Sequence, residues 1–307
     1  MMTAGLLAAG SEDVMGKRTV LALLVAIVVA LGLVGCGSSG ASSSQASQSA
    51  SGSSAEASQQ SQASSSAVAV SQNPDEEFLP ALAAGLEARW TLTAQTEGQE
   101  DTSQLRAQYV NAELENLAAF EGASFKDPEL GQLAERYIAA VEESLACLDS
   151  YDTNFLDYGK RWSDAYKERA IVVKELVERY GFKMPDEYQK SLDEMVEEGK
   201  KSGQELQVPA DIKQAADEDI PAAAVSAFQK VDGNIYRATV VNPSRASFDY
   251  YNLDVYLLNA KGGFSEMHRI EVDNWASGAE AVFEFTPDSE FASMGALSGD
   301  WWATWQN

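Results

Sequence analysis

Few side chains in this sequence have the chemistry that catalysis or metal binding requires. The chain contains two cysteines, Cys36 and Cys147, and one histidine, His268. A catalytic thiol needs a base beside it, and His268 belongs to a different predicted region from Cys147. A single histidine also argues against a histidine-rich zinc site and against a serine–histidine triad. We therefore predict a protein that is not an enzyme and that uses no metal or cofactor.

Cys36 follows a segment with its own pattern of charge and hydropathy. Lys17 and Arg18 come first, an uncharged apolar run extends over residues 20–34, and Gly35 precedes the cysteine. At about 1.5 Å per residue, a helix over this run spans roughly 22 Å, which is short of the roughly 30 Å hydrocarbon core. A basic start, a short apolar core and a small residue at the end are typical of a secretory signal peptide.

The segment Leu33-Val34-Gly35-Cys36 resembles the lipobox of bacterial lipoproteins. The resemblance implies that residues 1–35 are a signal peptide and that the Cys36 thiol carries a diacylglyceryl group. Fatty acyl chains such as palmitate would then anchor the protein to the outer face of the cell membrane, because two chains bind a bilayer firmly. The alternative is an uncleaved membrane helix over residues 19–37. Glu12 and Asp13 would oppose the positive charge with which a signal peptide begins, so we expect translation to start after them, at Met15.

The charge of the chain excludes one class of partner. There are 22 basic and 47 acidic residues, giving a net charge of −25. Such a protein repels nucleic acid and anionic lipid headgroups. We therefore predict no binding to nucleic acid, and we expect the lipid rather than charge to hold the protein at the membrane. A cell-wall glycan or another protein is the candidate partner.

Composition and periodicity divide the rest of the chain into a linker and two predicted domains. Residues 36–74 are rich in serine and almost uncharged, which predicts a disordered linker behind the lipidated cysteine. Residues 75–202 repeat apolar side chains every three to four positions, which predicts an antiparallel helical bundle. Residues 203–224 contain glycine, proline and the run Asp217-Glu218-Asp219, which we interpret as a second linker with solvated acids. From residue 225 onward the apolar residues recur at every second position instead.

Several boundaries of the helices are predicted from capping signals. Asp101-Thr102-Ser103-Gln104 and Asp127-Pro128-Glu129 mark helix starts. Gly181 marks a helix end, and a further helix is expected from Pro185 to about Gly199. Cys147 lies on one of these helices, where we expect a buried and unreactive thiol.

Residues 225–307 predict a small β-sandwich. Short stretches of alternating apolar and polar residues are separated by turn signals, for example at Asn259-Ala260-Lys261-Gly262-Gly263. Short strands at regular spacing, each bounded by such a turn, favour two packed antiparallel sheets.

Part of this region, residues 230–287, resembles the FxLYD domain, a small immunoglobulin-like module of prokaryotic surface lipoproteins. The similar segments are Val240-Val241-Asn242, Val255-Tyr256-Leu257-Leu258-Asn259 and Gly278 ahead of two phenylalanines. The namesake motif differs, since Val255 stands for Phe, Leu258 for Tyr and Asn259 for Asp. The resemblance implies an immunoglobulin-like sandwich on a surface protein, and it provides no catalytic residues.

Three tryptophans near residue 300 suggest a binding surface. Strand alternation places Trp301 and Trp305 on one face and Trp302 on the other. One face is expected to fill the core, whereas an exposed Trp302 could stack on a sugar of the cell wall. The sequence thus predicts a non-catalytic surface lipoprotein with a binding or envelope-organising role. The alternatives are a solute- or glycan-binding lipoprotein and an envelope hydrolase, for which no site is found.

Overall fold

The computed structural model describes residues 70–305 of the chain. Over this range the protein is a mixed α + β protein, with helices first and strands after them. The predicted signal peptide, Cys36 and nearly all of the first linker lie outside the described residues. Within the described range, no helix combines the length and the apolar character needed to cross a bilayer.

The first part of the fold, which we call the helical region, is built from helices that pack on their neighbours along the chain. Short connections favour this arrangement, because they hold consecutive helices side by side. Its core consists of the apolar stripes of all five helices and includes Phe78, Leu86, Tyr137 and Leu176. The helices are α1 (Pro74–Gln95), α2 (Ser103–Leu117), α3 (Pro128–Ala146), α4 (Phe155–Tyr180) and α5 (Gln189–Glu205).

Three predicted helix boundaries are confirmed by their capping contacts. The side chain of Thr102 accepts a hydrogen bond from the third residue of α2, and Asp127 accepts two at the start of α3. Gly181 ends α4 with a φ of 66°, in the left-handed region that glycine adopts without strain. Helix α5 starts later than expected, because Asp186–Tyr188 forms a separate 3₁₀ turn, and it continues to Glu205 rather than ending near Gly199.

The structure differs from the expected linker at residues 203–224. Most of this segment is helical and continuous: α6 (Ala210–Gln214), a π-helical turn (Ala215–Asp219) and α7 (Ile220–Ala227). Pro221 is the second residue of α7 and lies directly after the π-helical turn. Ile220 and Ala224 are buried in the core of the following sheets. The segment is therefore ordered by its small apolar face, which the glycine, proline and acidic residues obscured in the sequence.

The second part, which we call the β region, contains two antiparallel three-stranded sheets. One has the order β1-β2-β5 and the other the order β4-β3-β6. The inner faces of both sheets share one apolar core, and α7 contacts β2 of the first sheet and β6 of the second. The strands are β1 (Gln229–Asp232), β2 (Ile235–Val241), β3 (Ser247–Leu258), β4 (Phe264–Trp275), β5 (Glu280–Phe285) and β6 (Ser293–Thr304).

The helical region and the β region are in direct contact along α4. The Phe155 amide donates a hydrogen bond of 3.1 Å to the carbonyl of Gly262 in the β3–β4 turn, and the Phe155 ring lies 5.5 Å from that of Tyr256. Gly295 on β6 leaves space for the side chain of Leu156, which a Cβ at that position would overlap. Helix α4 thus packs at the β3–β4 turn and against β6, on the face of this sheet that points away from the β core.

Candidate functional site

Trp301 and Trp302 lie on opposite faces of β6, as the alternation predicts. Trp301 is buried in the core of the β region, and its indole N–H donates a hydrogen bond of 2.9 Å to Asp217. Trp302 has 49% of its surface exposed. In the register of the sheet it stands opposite Tyr250 on β3. Trp302 is therefore available to a ligand, whereas Trp301 has a structural role.

Two side chains contact the Trp302 ring and two more pair with those, and together with Trp302 these four form what we call the Trp302 platform. The ring of Tyr250 lies 6.1 Å from that of Trp302, and its hydroxyl lies 3.3 Å from a carboxylate oxygen of Glu271. The ammonium of Lys201, at the end of α5, lies 5.2 Å from the centroid of the Trp302 ring. Lys201 also forms an ion pair with Asp300. The platform thus combines an exposed aromatic ring with one cation and two carboxylates.

The chemistry of the platform suits recognition rather than catalysis. A half-exposed indole offers a flat apolar surface, and the carboxylates of Asp300 and Glu271 accept hydrogen bonds from hydroxyl or amine donors. Burial and the nearby Glu271 raise the pKa of Tyr250, so its hydroxyl stays protonated and can donate. None of these groups is paired as nucleophile and base.

The two other residues considered for catalysis do not form a site together. Cys147 is fully buried, its thiol donates to the Ser144 carbonyl, and burial raises its pKa to about 11. The expectation of a buried thiol at this position is confirmed. His268 lies on β4, where its ring stacks on Phe285 and its Nε2 is 2.7 Å from Glu266. In residues 70–305 there is also no group of three or more histidine, cysteine or acidic residues that could hold a metal ion.

A buried charge cluster in the helical region was missed by the sequence reasoning. It consists of Arg89 on α1, Glu113 on α2, Tyr137 on α3 and Arg169 on α4. Glu113 accepts hydrogen bonds from Arg89 at 2.8 Å, from Arg169 at 2.7 and 2.9 Å, and from the Tyr137 hydroxyl at 2.5 Å. Glu113 is completely buried and Arg169 is 3% exposed. Each of the four helices therefore contributes one side chain to a single network.

The electrostatics of this network favour its charged form. Burial opposes ionisation of Glu113, but Arg169, Arg89 and the Tyr137 hydroxyl outweigh it and lower the pKa of the carboxyl. Burial raises the pKa of Tyr137 above its ordinary value, so the phenol remains a donor. The sequence held one signal of this arrangement, since Glu113 lies three residues after Val110 and four before Leu117 on the apolar stripe of α2.

Asp217 differs from the expectation of a solvated acidic run. One of its carboxylate oxygens accepts hydrogen bonds of 2.9 Å from Trp301 and from Ser298, and the other pairs with Lys213. The π-helical turn carries Asp217 toward β6, and these donors compensate for its partial burial. Asp217 thus links the helix α6–α7 to the last described strand.

Comparisons with known proteins found no match to this chain among protein-family models, curated proteins or solved structures. Consequently, the lipobox and FxLYD resemblances stay predictions.

Proposed function

We propose that this chain is a non-catalytic bacterial surface lipoprotein, anchored to the outer face of the cell membrane through lipid on Cys36. The observation that carries the proposal is the sequence Leu33-Val34-Gly35-Cys36 behind a short apolar run. The first described helix begins at Pro74, so a polar serine-rich stretch separates the anchor from the helical region. The role of the folded part would be to bind a partner or to organise the envelope.

The proposed architecture has two domains, a helical bundle over residues 75–202 and an immunoglobulin-like sandwich over residues 225–307. Two antiparallel sheets with one shared core support the sandwich. The contacts of α4 with the β3–β4 turn and with Gly295 support a fixed arrangement of the two domains. Such a unit would present one constant surface to a partner outside the cell.

A binding role is favoured over capture of a solute inside the bundle. The aromatic side chains Phe78 and Tyr137 of the helical stripes are buried and fill its core. One surface depression of about 420 Å³ lies between the end of α4 and α5, and another of about 480 Å³ lies at the α1–α2 turn. Neither depression is lined by Phe78 or Tyr137, so neither opens onto these rings in the interior of the bundle.

The lipid anchor can be tested by replacing its acceptor thiol. The Cys36→Ser protein is expected to lose incorporation of a labelled palmitate and to appear folded in the culture medium, because no acyl chain holds it to the bilayer. The measurement is the label and the protein in membrane and medium fractions. Cys147→Ser is the matched control, since it removes the other cysteine and should keep both label and membrane retention. Incorporation of the label that persists in the Cys36→Ser protein would contradict lipid on this residue, and a wild type without label would favour the uncleaved helix.

Glycan binding is the second candidate function, and the exposed Trp302 is the observation that favours it. Trp302→Ala is expected to abolish pelleting with isolated cell wall while the melting temperature changes little, because the side chain is half exposed. Trp301→Ala is the matched control. It should lower the melting temperature by several degrees, because it empties part of the core and leaves Asp217 without one donor. Unchanged pelleting of Trp302→Ala would exclude this residue as the glycan contact.

A further inference from the structure

The Trp302 ring already carries a cation from its own chain. The Lys201 ammonium lies 5.2 Å from the ring centroid and is paired with Asp300, and this lysine side chain is only 20% exposed. A positive charge over an indole face is stabilised by the quadrupole of the ring, and a neighbouring carboxylate adds to that attraction. The platform therefore holds an ammonium group between an aromatic ring and an acid.

The charges that face this position are predominantly negative. Besides Asp300, Glu198 of α5 lies 4.0 Å from the Lys201 ammonium, and Glu271 of β4 contacts the Tyr250 hydroxyl. On the neighbouring strands Arg269 and Asp254 form a two-bond ion pair with each other, at 2.7 and 2.9 Å, which compensates both charges. Because Arg269 also interacts with Asp300, Lys201 and Arg269 are two cations among four carboxylates, those of Asp300, Glu198, Glu271 and Asp254. The surroundings favour a ligand that brings positive charge and hydrogen-bond donors.

Resting on the proposed glycan function, we infer that the Trp302 platform binds a glycan that carries free amino groups. A ligand ammonium takes the position of the Lys201 ammonium on the Trp302 ring, next to Asp300, while the sugar ring lies along the indole. Lys201 can leave at modest cost, because Asp300 is 47% exposed and regains hydration when the ion pair opens. An acetylated amine has no charge and cannot make this exchange.

The test compares hexamers of glucosamine and of N-acetylglucosamine by calorimetric titration at mildly acidic pH, where the free amines are protonated. The protein is the secreted full chain with Cys36→Ser. The glucosamine hexamer is expected to bind about tenfold more tightly than the acetylated one, and Trp302→Ala is expected to remove about tenfold of its affinity. Asp300→Asn should weaken binding of the glucosamine hexamer in the same direction.

The exchange with Lys201 has its own readout. Lys201→Met removes the competing ammonium and keeps the apolar stem, so it is expected to tighten binding of the glucosamine hexamer by several-fold. Lys200→Met is the matched control, because it changes the net charge equally but affects a lysine that pairs with Glu197 instead. If both variants tighten binding equally, the change in net charge alone explains the tighter binding, and the exchange with Lys201 is contradicted.

The remaining outcomes separate the inference from the glycan proposal beneath it. Equal binding of the two hexamers, both lost in Trp302→Ala, would keep the glycan site and overturn the requirement for an amine. Absence of binding by either hexamer would overturn the inference, and cell-wall pelleting then decides the glycan proposal by itself. Another outcome is that a lysine hexapeptide binds as tightly as the glucosamine hexamer and loses its binding in Trp302→Ala. That result would show a site for cationic peptides and overturn the assignment to a glycan.

Discussion

Replacement of Glu113 by alanine is expected to lower the free energy of unfolding by about 3–5 kcal/mol, since it leaves buried positive charge uncompensated. Arg169 is 3% exposed and has no carboxylate other than Glu113 among its hydrogen-bond partners within the described residues. The measurement is urea denaturation of the wild type and the variant at neutral pH. The loss follows from the two arginines that remain rather than from the small cavity.

Glu143 provides the matched control for this prediction. It is also a helix glutamate paired with an arginine, Arg161, at 2.6 Å, but 44% of its side chain is exposed. Glu143→Ala should therefore cost less than about 1 kcal/mol, because exposed ion pairs are screened by water. Similar losses of unfolding free energy for Glu113→Ala and Glu143→Ala would show that the buried cluster stabilises the protein no more than an exposed ion pair does.

The same cluster predicts a dependence of stability on pH. The ordinary pKa of glutamate is 4.5, and the cluster lowers that of Glu113 in the folded protein. The charged carboxylate therefore contributes stability that is fully present above pH 4.5 and is lost as the pH falls through the lower, folded-state pKa. Glu113→Gln imitates the protonated form, so its deficit against the wild type should be large at neutral pH and should shrink in acid. A constant deficit across this range would contradict the shift.

Gly262→Ala is the second substitution with a large expected effect. Gly262 has a φ of 88°, and a Cβ at this position would overlap the backbone carbonyl of Thr153 in the turn before α4. We expect a loss of about 3 kcal/mol in the free energy of unfolding, from left-handed strain together with overpacking against backbone that cannot rotate away. The measurement is again urea denaturation.

Gly278 separates the two causes of that loss. It has a similar φ of 72°, but nothing lies within 4 Å of an added Cβ. Gly278→Ala should cost only the left-handed strain, about 1–2 kcal/mol. The excess for Gly262→Ala then measures the contact between the helical region and the β region. Equal losses for both variants would mean that the β3–β4 turn adapts to Thr153 at no cost.

The features that the sequence predicted well depend on interactions close in the chain. Spacings of a few residues predicted the helix caps at Thr102 and Asp127 and the end of α4 at Gly181. They also predicted that Trp301 and Trp302 lie on opposite faces of β6. The period of the apolar residues separated the helices from the strands for the same reason. Such signals are read directly from short windows of sequence.

The features that the sequence did not predict require contacts between distant residues. Glu113 is one acid among many, and only the arrival of Arg89 and Arg169 from two other helices makes its burial possible. Asp217 reads as a solvated acid until Trp301 and Ser298 are brought to it from β6. Lys201 became part of the Trp302 platform in the same way, through a contact across 99 positions of the chain.

The position of β3 between two layers has a consequence for how the molecule loses its structure. Leu253 and Val255 point into the β core with no exposed surface, and Asn252 and Asp254 on the opposite face are also buried. Each amide proton of this strand bonds to one edge, β4 or β6, so both neighbours must separate from β3 before all of them exchange with solvent. Local fraying is thus excluded at the centre of the molecule, and the slowest exchange should be found there. Loss of α4 would uncover Tyr256 on the outer face of the same strand, so we expect the two regions to unfold in one transition.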